Sequence, residues 1–235
     1  MTFNGTRRDG AAKRAKTVEQ IALTLQSTGL RKVAFTAVET DPVTTSLAKD
    51  VAEVAARSGR RTLVLDLAGS STAPGWLPGD DMVEPAPDAT GRKFDSLRAP
   101  AGAAARAAYN NPERVGDALD GLLASYDLVI LCTAGLIDDR DDRVNAVAAG
   151  AATDGIILVC PTGLVTVTKL QRAMQLVAAA GGKVVGTVLD DRANPLLVDE
   201  LSDVVQRTLA FVPPVGRWLA ERVRRSEFLR TPIHP

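Results

Sequence analysis

The sequence of 235 residues is poor in the residue types on which several kinds of function depend. Its single histidine, His234, stands one residue from the end, which excludes acid–base or triad catalysis by histidine. Lysine plus arginine and aspartate plus glutamate each total 28, so no overall field favours nucleic acid as a partner. The sequence opens without an apolar signal region and contains no stretch as long as a membrane span, so we expect a cytoplasmic protein.

The two cysteines, Cys132 and Cys160, each end a predicted strand and form neither a CxxC pair nor a metal-binding spacing. Unpaired cysteines are typical of proteins kept in a reducing compartment, where the side chain packs as a small apolar group. We therefore expect two buried, reduced thiols rather than a disulfide or a pair of metal ligands.

Short apolar runs alternate with segments of helical periodicity over most of the chain. The runs that predict strands are Lys32–Ala37, Thr62–Leu67, Lys93–Arg98, Leu128–Thr133, Gly155–Cys160, Lys183–Leu189 and Thr208–Val212. Strands that alternate with helices form right-handed βαβ units around a mostly parallel sheet. The sequence therefore predicts an α/β fold, with a single doubly wound, Rossmann-like sheet of about seven strands flanked by helices.

The chain divides into three predicted parts. Residues 1–16 are basic and are expected to form a flexible tail, residues 17–216 hold the α/β domain, and residues 217–235 combine a basic amphipathic helix with a short tail. Residues 69–100 collect Gly, Pro, Ser and Asp, which is typical of a long surface loop. Ligands of such sheets bind beyond the carboxyl ends of the strands, so the site is expected at that edge.

The first predicted strand leads into a six-residue turn at the start of a predicted helix, Asp41-Pro42-Val43-Thr44-Thr45-Ser46. A phosphate-binding loop at this place needs glycines for close backbone approach and a lysine for charge, and the turn has neither. An aspartate followed by proline instead favours a helix start in which the carboxylate caps the free N–H groups. We interpret the turn as structural, with the anion position of the helix taken by its own side chain.

Three segments of the chain resemble the bacterial tyrosine kinases that are attached to polysaccharide co-polymerases, a branch of the P-loop ATPases that include MinD and ParA. The segments are KVAFTAVETDPVTTSLAKDVAEVAARSGRRTLVLDLAG, YDLVILCTAG and DGIILVCPTGLVTVTKLQRAMQLVAAAGGKVVGTVLDD. The resemblance extends over residues 17–229. It implies the P-loop NTPase fold.

At the positions that correspond to the family's nucleotide site, this sequence lacks most of the residues that bind phosphate and magnesium in the family. The family's phosphate-loop sequence GEGKST corresponds here to Asp41, Pro42, Val43, Thr44, Thr45 and Ser46. Of these residues, only Thr45 keeps the hydroxyl that would coordinate magnesium. The paired aspartates of the second motif correspond to Asp66 and Ala68, and the aspartate of the third corresponds to Cys132, a soft ligand poorly suited to magnesium. Phosphoryl transfer depends on positioning and charge stabilisation, so the resemblance implies a degenerate site with no catalytic residue, no cofactor and no metal.

Two regulatory features of the family are also missing. Its kinases phosphorylate tyrosines near the C-terminus, whereas the two tyrosines here are Tyr109 and Tyr126. Its rings form through an N-terminal helix with a glutamate and two arginines at three-residue spacing, and the corresponding stretch from Glu19 to Leu25 has no arginine. The resemblance therefore implies no tail autophosphorylation and no ring of this type, while another homo-oligomer stays open.

Surfaces suited to binding are found near both ends of the chain. The segment RWLAERVRRSEFLR predicts a basic amphipathic helix for docking on an anionic membrane or a partner's helix, through Arg217, Trp218, Arg222, Arg224, Arg225 and Phe228. A terminal helix packed on the sheet, with solvated arginines, is the alternative. The basic residues between Arg7 and Lys16 lack interleaved aromatics, so no nucleic-acid binding is expected. The acidic run from Asp138 to Asp142 fits no standard calcium loop and favours a charged loop.

The leading hypothesis is a catalytically degenerate tyrosine-kinase-like protein that serves as scaffold or regulator of a membrane polysaccharide co-polymerase. The resemblance implies the synthesis and export of exopolysaccharide, capsule or holdfast, with the protein held peripherally at the inner membrane by its partner. One alternative is an active tyrosine autokinase or ATPase that uses ATP and magnesium, with Lys49 as a relocated lysine about one helical turn beyond the lost one. The other is a partition or positioning protein of the MinD or ParA type.

Overall fold

A computed structural model of the chain describes residues 5–68, 85–98, 107, 109–137, 144–161 and 164–190. These residues form a seven-stranded sheet with helices packed on both faces. The predicted α/β fold with a mostly parallel sheet is therefore confirmed.

The strands, in chain order, are β1 (Lys32–Ala37), β2 (Thr62–Asp66), β3 (Ala86–Pro87), β4 (Asp95–Arg98), β5 (Leu128–Cys132), β6 (Gly155–Pro161) and β7 (Val184–Asp190). Their order across the sheet is β3-β4-β2-β5-β1-β6-β7. Every neighbouring pair is parallel except β3 and β4, which are antiparallel. The carboxyl ends of β1, β2, β5 and β6 therefore meet at one edge of the sheet.

The helices of the described residues are α1 (Gly5–Thr28), α2 (Pro42–Arg57), α3 (Pro112–Leu122), α4 (Ala146–Ala151) and α5 (Val167–Ala179). Helices α2 to α5 are each preceded by a capping residue whose side chain accepts a hydrogen bond from the first turn, namely Asp41, Asn111, Asn145 and Thr166. Such caps satisfy N–H groups that have no partner inside the helix, so these starts are fixed locally by sequence.

The predicted strands agree with the observed ones to within a few residues. β1 has the predicted bounds, and the other described strands begin or end within two residues of the prediction. The strand predicted over Thr208–Val212 lies outside the described residues. The structure adds the two-residue strand β3, which pairs antiparallel with β4 and is too short to carry a periodic signal.

The central strands are buried because helices cover both faces of the sheet. On one face, α1 and α2 pack against β-strand residues that include Val33, Phe35, Val64, Ile130 and Val159. On the other, α3, α4 and α5 pack against residues that include Ala34, Leu63, Leu65, Leu131 and Leu158. Unbroken apolar runs suit strands that are covered on both sides, and burial of each such side chain contributes about 1.5–3 kcal/mol.

Residues 5–16, which the sequence analysis assigned to a flexible tail over residues 1–16, belong to a helix in the structure. Helix α1 begins at Gly5, and Arg14 donates a hydrogen bond of 2.7 Å to Ser46 Oγ of α2. Arg14 Nη2 also lies 2.6 Å from Asp50 Oδ2 in an ion pair. Further along α1, Val18, Ala22 and Leu25 are buried at helical spacing against the sheet. The partners of Arg14 stand more than 30 residues away in sequence, so a local sequence pattern could not predict these contacts.

Candidate functional site

The turn between β1 and α2 ends in a complete helix cap. Asp41 has extended backbone angles, and its Oδ1 accepts a hydrogen bond of 2.8 Å from the Val43 amide. Its carbonyl oxygen accepts a second bond of 3.2 Å from the Thr44 amide, and Pro42 occupies the first helical position. The predicted capping role of Asp41 is confirmed, and its carboxylate stands where the helix dipole would otherwise favour an external anion.

The main chain after β1 is fastened to the main chain after β5. The Leu136 amide donates to the Ala37 carbonyl at 2.9 Å, and the Ile137 amide donates to the Val38 carbonyl at 3.1 Å. These bonds continue the parallel pairing of the two strands beyond their ends. The loop that corresponds in position to a phosphate loop is therefore held against its neighbour by backbone hydrogen bonds.

Gly135 allows these two loops to approach closely. Its amide donates a hydrogen bond of 2.9 Å to Thr40 Oγ1. A Cβ at this position would lie 2.4 Å from the Thr40 nitrogen and 2.5 Å from the Glu39 carbonyl carbon, which is closer than atoms tolerate. A side chain at residue 135 is thus excluded by backbone, so the loop contact requires glycine.

Lys49 and Asp66 form an ion pair across the carboxyl edge of the sheet. Lys49 Nζ lies 3.1 Å from Asp66 Oδ2, and the side chains are 29% and 22% exposed. Lys49 stands one helical turn beyond Thr45 on α2, and Asp66 ends β2. The structure therefore directs this lysine to the carboxylate that the sequence analysis assigned to the second motif, and Ala68 nearby offers no further carboxylate.

Cys132 ends β5 directly beside Asp66, as its partner in the parallel register of β2 and β5. Its side chain is fully buried, and burial, assisted by the Asp66 carboxylate, raises the pKa of the thiol well above its usual range. Burial alone raises the pKa of Cys160 to about 12. Both cysteines are free and buried, as predicted, and each is a neutral thiol near pH 7 rather than an anionic ligand.

The three hydroxyl residues that follow Val43 have different surroundings. Thr44, at the position of the family's lysine, is 1% exposed, and its Oγ1 has no hydrogen-bond partner in the described part of the chain. Thr45 is half-buried, and Ser46 Oγ accepts from Arg14. No side chain of residues 41–46 carries positive charge, and the Arg14 guanidinium that reaches Ser46 is also paired with Asp50.

Magnesium and a nucleoside triphosphate require more than these residues offer. Magnesium takes oxygen ligands in octahedral geometry, whereas Asp66, the one carboxylate that the family resemblance assigns to magnesium here, already faces an ammonium group. The cap carboxylate of Asp41 would repel phosphate at the helix end. Among the described residues, no group of three or more His, Cys, Asp or Glu side chains is placed to hold a metal ion. The geometry therefore does not fit this cofactor.

Two contacts at this edge were missed by the sequence analysis. Lys169 of α5 donates a hydrogen bond of 2.8 Å to Glu39 Oε1 in the loop after β1. Arg14 reaches Ser46 from α1. Both pairs join residues that are distant in the chain, and a single sequence carries no signal that would match them. For Lys49, the sequence predicted its position one helical turn beyond Thr45 but not its ion pair with Asp66.

Several predicted surfaces lie outside the described residues. They include the acidic run 138–142 and the C-terminal docking residues Arg217, Trp218, Arg222, Arg224, Arg225 and Phe228. Of the helices that the structure does describe, none combines the length and the apolar character needed to cross a membrane.

Comparison with known proteins reveals similarity in structure alone. No family model matches the sequence, and no curated protein matches it. The kinase domain of the Escherichia coli tyrosine kinase ETK has a TM-score of 0.63 and 21% identity, over 75% of this chain and 74% of that chain. The VpsO kinase domain has a TM-score of 0.63 and 13% identity, over 80% and 98% of the two chains. The MinD cell division protein of Aquifex aeolicus has a TM-score of 0.54 and 13% identity, over 87% and 100%. The chain thus has the P-loop NTPase fold that tyrosine-kinase domains share with MinD.

Proposed function

We propose that the protein is a catalytically degenerate tyrosine-kinase-like protein that acts as a scaffold or regulator of a membrane polysaccharide co-polymerase. The process is the synthesis and export of a surface polysaccharide such as an exopolysaccharide, a capsule or a holdfast. The fold supports the kinase-like part of this proposal, and the family resemblance of the sequence supports the partner.

One observation carries the proposal: the chain's own groups satisfy the charges at the phosphate-loop position. The Asp41 carboxylate accepts the helix amide at 2.8 Å, and the Lys49 ammonium faces Asp66 at 3.1 Å. The first arrangement places a negative charge where a phosphate would bind, and the second pairs the lysine with the carboxylate, so neither is left for nucleotide or magnesium. A preserved fold in which these side chains interact with each other and with the main chain favours a binding role over catalysis.

The tyrosines also argue against autophosphorylation. Tyr109 is fully buried, and Tyr126 Oη donates a hydrogen bond of 2.8 Å to Asp95 Oδ2. Burial and this contact with a carboxylate raise the pKa of the Tyr126 phenol, so the hydroxyl is neutral near pH 7. The burial of Tyr109 and the contact of Tyr126 with Asp95 support the proposal that neither tyrosine is a phosphate acceptor.

Genetic complementation in the native host tests the proposal. Deletion of the gene is expected to reduce surface polysaccharide, and wild type, Thr45→Ala and Asp66→Asn should restore it equally. Immunoblotting shows whether each variant accumulates. If both variants accumulate normally but fail to restore the polymer, the site has a chemical role and the proposal is wrong. If deletion leaves every surface polysaccharide unchanged, the assignment of the process is wrong.

The active autokinase is the alternative, and it requires Lys49 to leave Asp66 and turn towards the helix N-terminus. Titration calorimetry with magnesium and ATP distinguishes the two functions. The proposal predicts no binding heat at millimolar nucleotide, with the isolated ETK kinase domain as a positive control. Micromolar affinity that is lost in Thr45→Ala would establish the alternative.

A further inference from the structure

Two arginines from different elements share one carboxylate of α2. Arg14 of α1 places its Nη2 2.6 Å and its Nε 2.9 Å from Asp50 Oδ2. Arg92, in the turn of residues 88–94 between β3 and β4, places its Nη1 3.0 Å from Asp50 Oδ1. The side chains of Arg14, Arg92 and Asp50 are 31%, 34% and 28% exposed, so water screens their charges only in part.

This arrangement denies both arginines their preferred geometry. A guanidinium binds a carboxylate most strongly as a fork, in which two parallel N–H groups reach two oxygens. Here both bonds of Arg14 end on Oδ2 of Asp50, and the bond of Arg92 ends on Oδ1. The two guanidiniums also repel each other across the single negative charge. Each arginine therefore weakens the contact that the other makes.

Both elements have other anchors, so either arginine can leave the shared carboxylate while its element stays folded. Helix α1 is held in the core by Val18, one helical turn after Arg14. The turn 88–94 is held by Phe94, which is buried in the same cluster. The Lys93 amide also donates a hydrogen bond of 2.8 Å to Glu53 Oε2 of α2. The contacts at the shared carboxylate can thus change without loss of the fold.

We propose that Arg14 and Arg92 compete for Asp50, so that release of α1 at Arg14 tightens the turn 88–94. When Arg14 leaves, both carboxylate oxygens become accessible to Arg92, and the repulsion between the guanidiniums disappears. Arg92 then forms the fork that it lacks in this structure. Because such coupling is reciprocal, release of the turn strengthens the hold on α1 to the same extent.

The shared carboxylate lies between two parts of the candidate site. Arg14 also donates a hydrogen bond of 2.7 Å to Ser46 Oγ, one helical turn before Asp50. Strand β4, which follows the turn 88–94, ends at Arg98, the register partner of Asp66. The competition therefore connects α1, which contacts Ser46, with the strand that lies beside Asp66. A molecule that binds α1 and draws Arg14 away would tighten the turn that leads into this strand.

Hydrogen exchange of the full-length protein, measured by NMR, tests the competition. Four amides of the turn donate to acceptors in the folded structure, namely those of Asp88, Thr90, Gly91 and Lys93. In Arg14→Gln they are expected to exchange about two- to fivefold more slowly, because the repulsion that is relieved is partly screened. Lys16→Gln, which removes an exposed charge from the same helix, should leave them unchanged. Equal slowing in both variants, or unchanged or faster exchange in Arg14→Gln, would overturn the proposal.

Two further variants test reciprocity. Arg92→Gln should slow the exchange of α1 amides 15–18 by the same factor as Arg14→Gln slows the turn. Asp50→Asn removes the charge that both arginines share, so exchange should become faster in α1 and in the turn alike. An effect of Asp50→Asn on one element alone would contradict the competition. Should Arg14→Gln fail to fold, these two variants decide the matter.

A crystal structure of Arg14→Gln gives a geometric readout. Two nitrogens of Arg92 are expected within hydrogen-bond distance of the two Asp50 oxygens, in place of the single bond to Oδ1. An Arg92 side chain that keeps its single bond, or that leaves Asp50, would show that the two arginines do not compete.

Discussion

The Lys49 ammonium lies 3.1 Å from the Asp66 carboxylate, which joins the middle of α2 to the end of β2. A charged nitrogen thereby occupies the surroundings of the carboxylate that the family resemblance assigns to magnesium. In this contact each charge is paired with the opposite one, and the contribution of the pair to the free energy of unfolding can be measured.

Replacement of Lys49 by methionine tests the weight of this pair. The side chains are less than one-third exposed, and Lys49→Met is expected to lower the unfolding free energy by about 1 kcal/mol. Lys49→Arg, which keeps the charge, should cost less. Urea denaturation of both variants and of Asp66→Asn checks this. If the effect of Lys49→Met is as large in the Asp66→Asn background as in wild type, the pair contributes nothing.

The cap at Asp41 predicts a second loss of stability. Asp41→Ala removes the acceptor of the Val43 amide and should cost roughly 0.5–2 kcal/mol of unfolding free energy. Asp41→Asn keeps an acceptor oxygen and serves as the matched control. Chemical denaturation compares the two. Equal stability of the alanine variant and wild type would show that water replaces the cap at no cost.

Gly135 and Gly116 form a matched pair with opposite expectations. Gly135→Ala forces a Cβ against the backbone of Glu39 and Thr40, and the strain should destabilise the fold by more than about 2 kcal/mol. Gly116 lies in α3 with open space around its Cα, so Gly116→Ala should stabilise the protein by about 0.5–1 kcal/mol. Thermal denaturation of both variants checks the two signs. Two changes of the same sign would contradict the packing described for the loop.

The buried thiols predict a loss of stability in alkali. The folded state raises the pKa of Cys132 and Cys160, so their contribution is fully present below the usual value of 9.0 and is lost as pH rises above it. Each thiol should lower the unfolding free energy by up to about 1.4 kcal/mol per pH unit above that value. Denaturation between pH 8 and pH 10 measures the slope, and Cys132→Ala should reduce it by about half. An unchanged slope in this variant would contradict the assignment.

The sequence predicted the parts of the fold that depend on local pattern. The bounds of β1, the cap at Asp41 and the burial of the central strands follow from short apolar runs and from the chemistry of an aspartate before proline. Each of these features is decided by residues within one or two helical turns. The order of the strands across the sheet was not predicted, because it depends on pairings between strands that are not consecutive in the chain.

The contacts that complete the candidate site could not be predicted in the same way. Arg14 with Ser46 and Lys169 with Glu39 join residues 32 and 130 positions apart. Charged side chains on exposed helix faces have many potential partners, and only the packed fold chooses between them. For the same reason, the sequence proposed Lys49 as a relocated catalytic lysine, whereas the fold places it beside Asp66.

The contact of Gly135 with the turn after β1 determines how this edge can meet another molecule. Opening the turn would break two main-chain hydrogen bonds and the bond to Thr40 together. Because these bonds already order the turn after β1, the turn loses little conformational entropy when it binds another molecule. A partner that docks there therefore meets a preorganised surface, and its affinity depends on shape and charge rather than on any induced rearrangement.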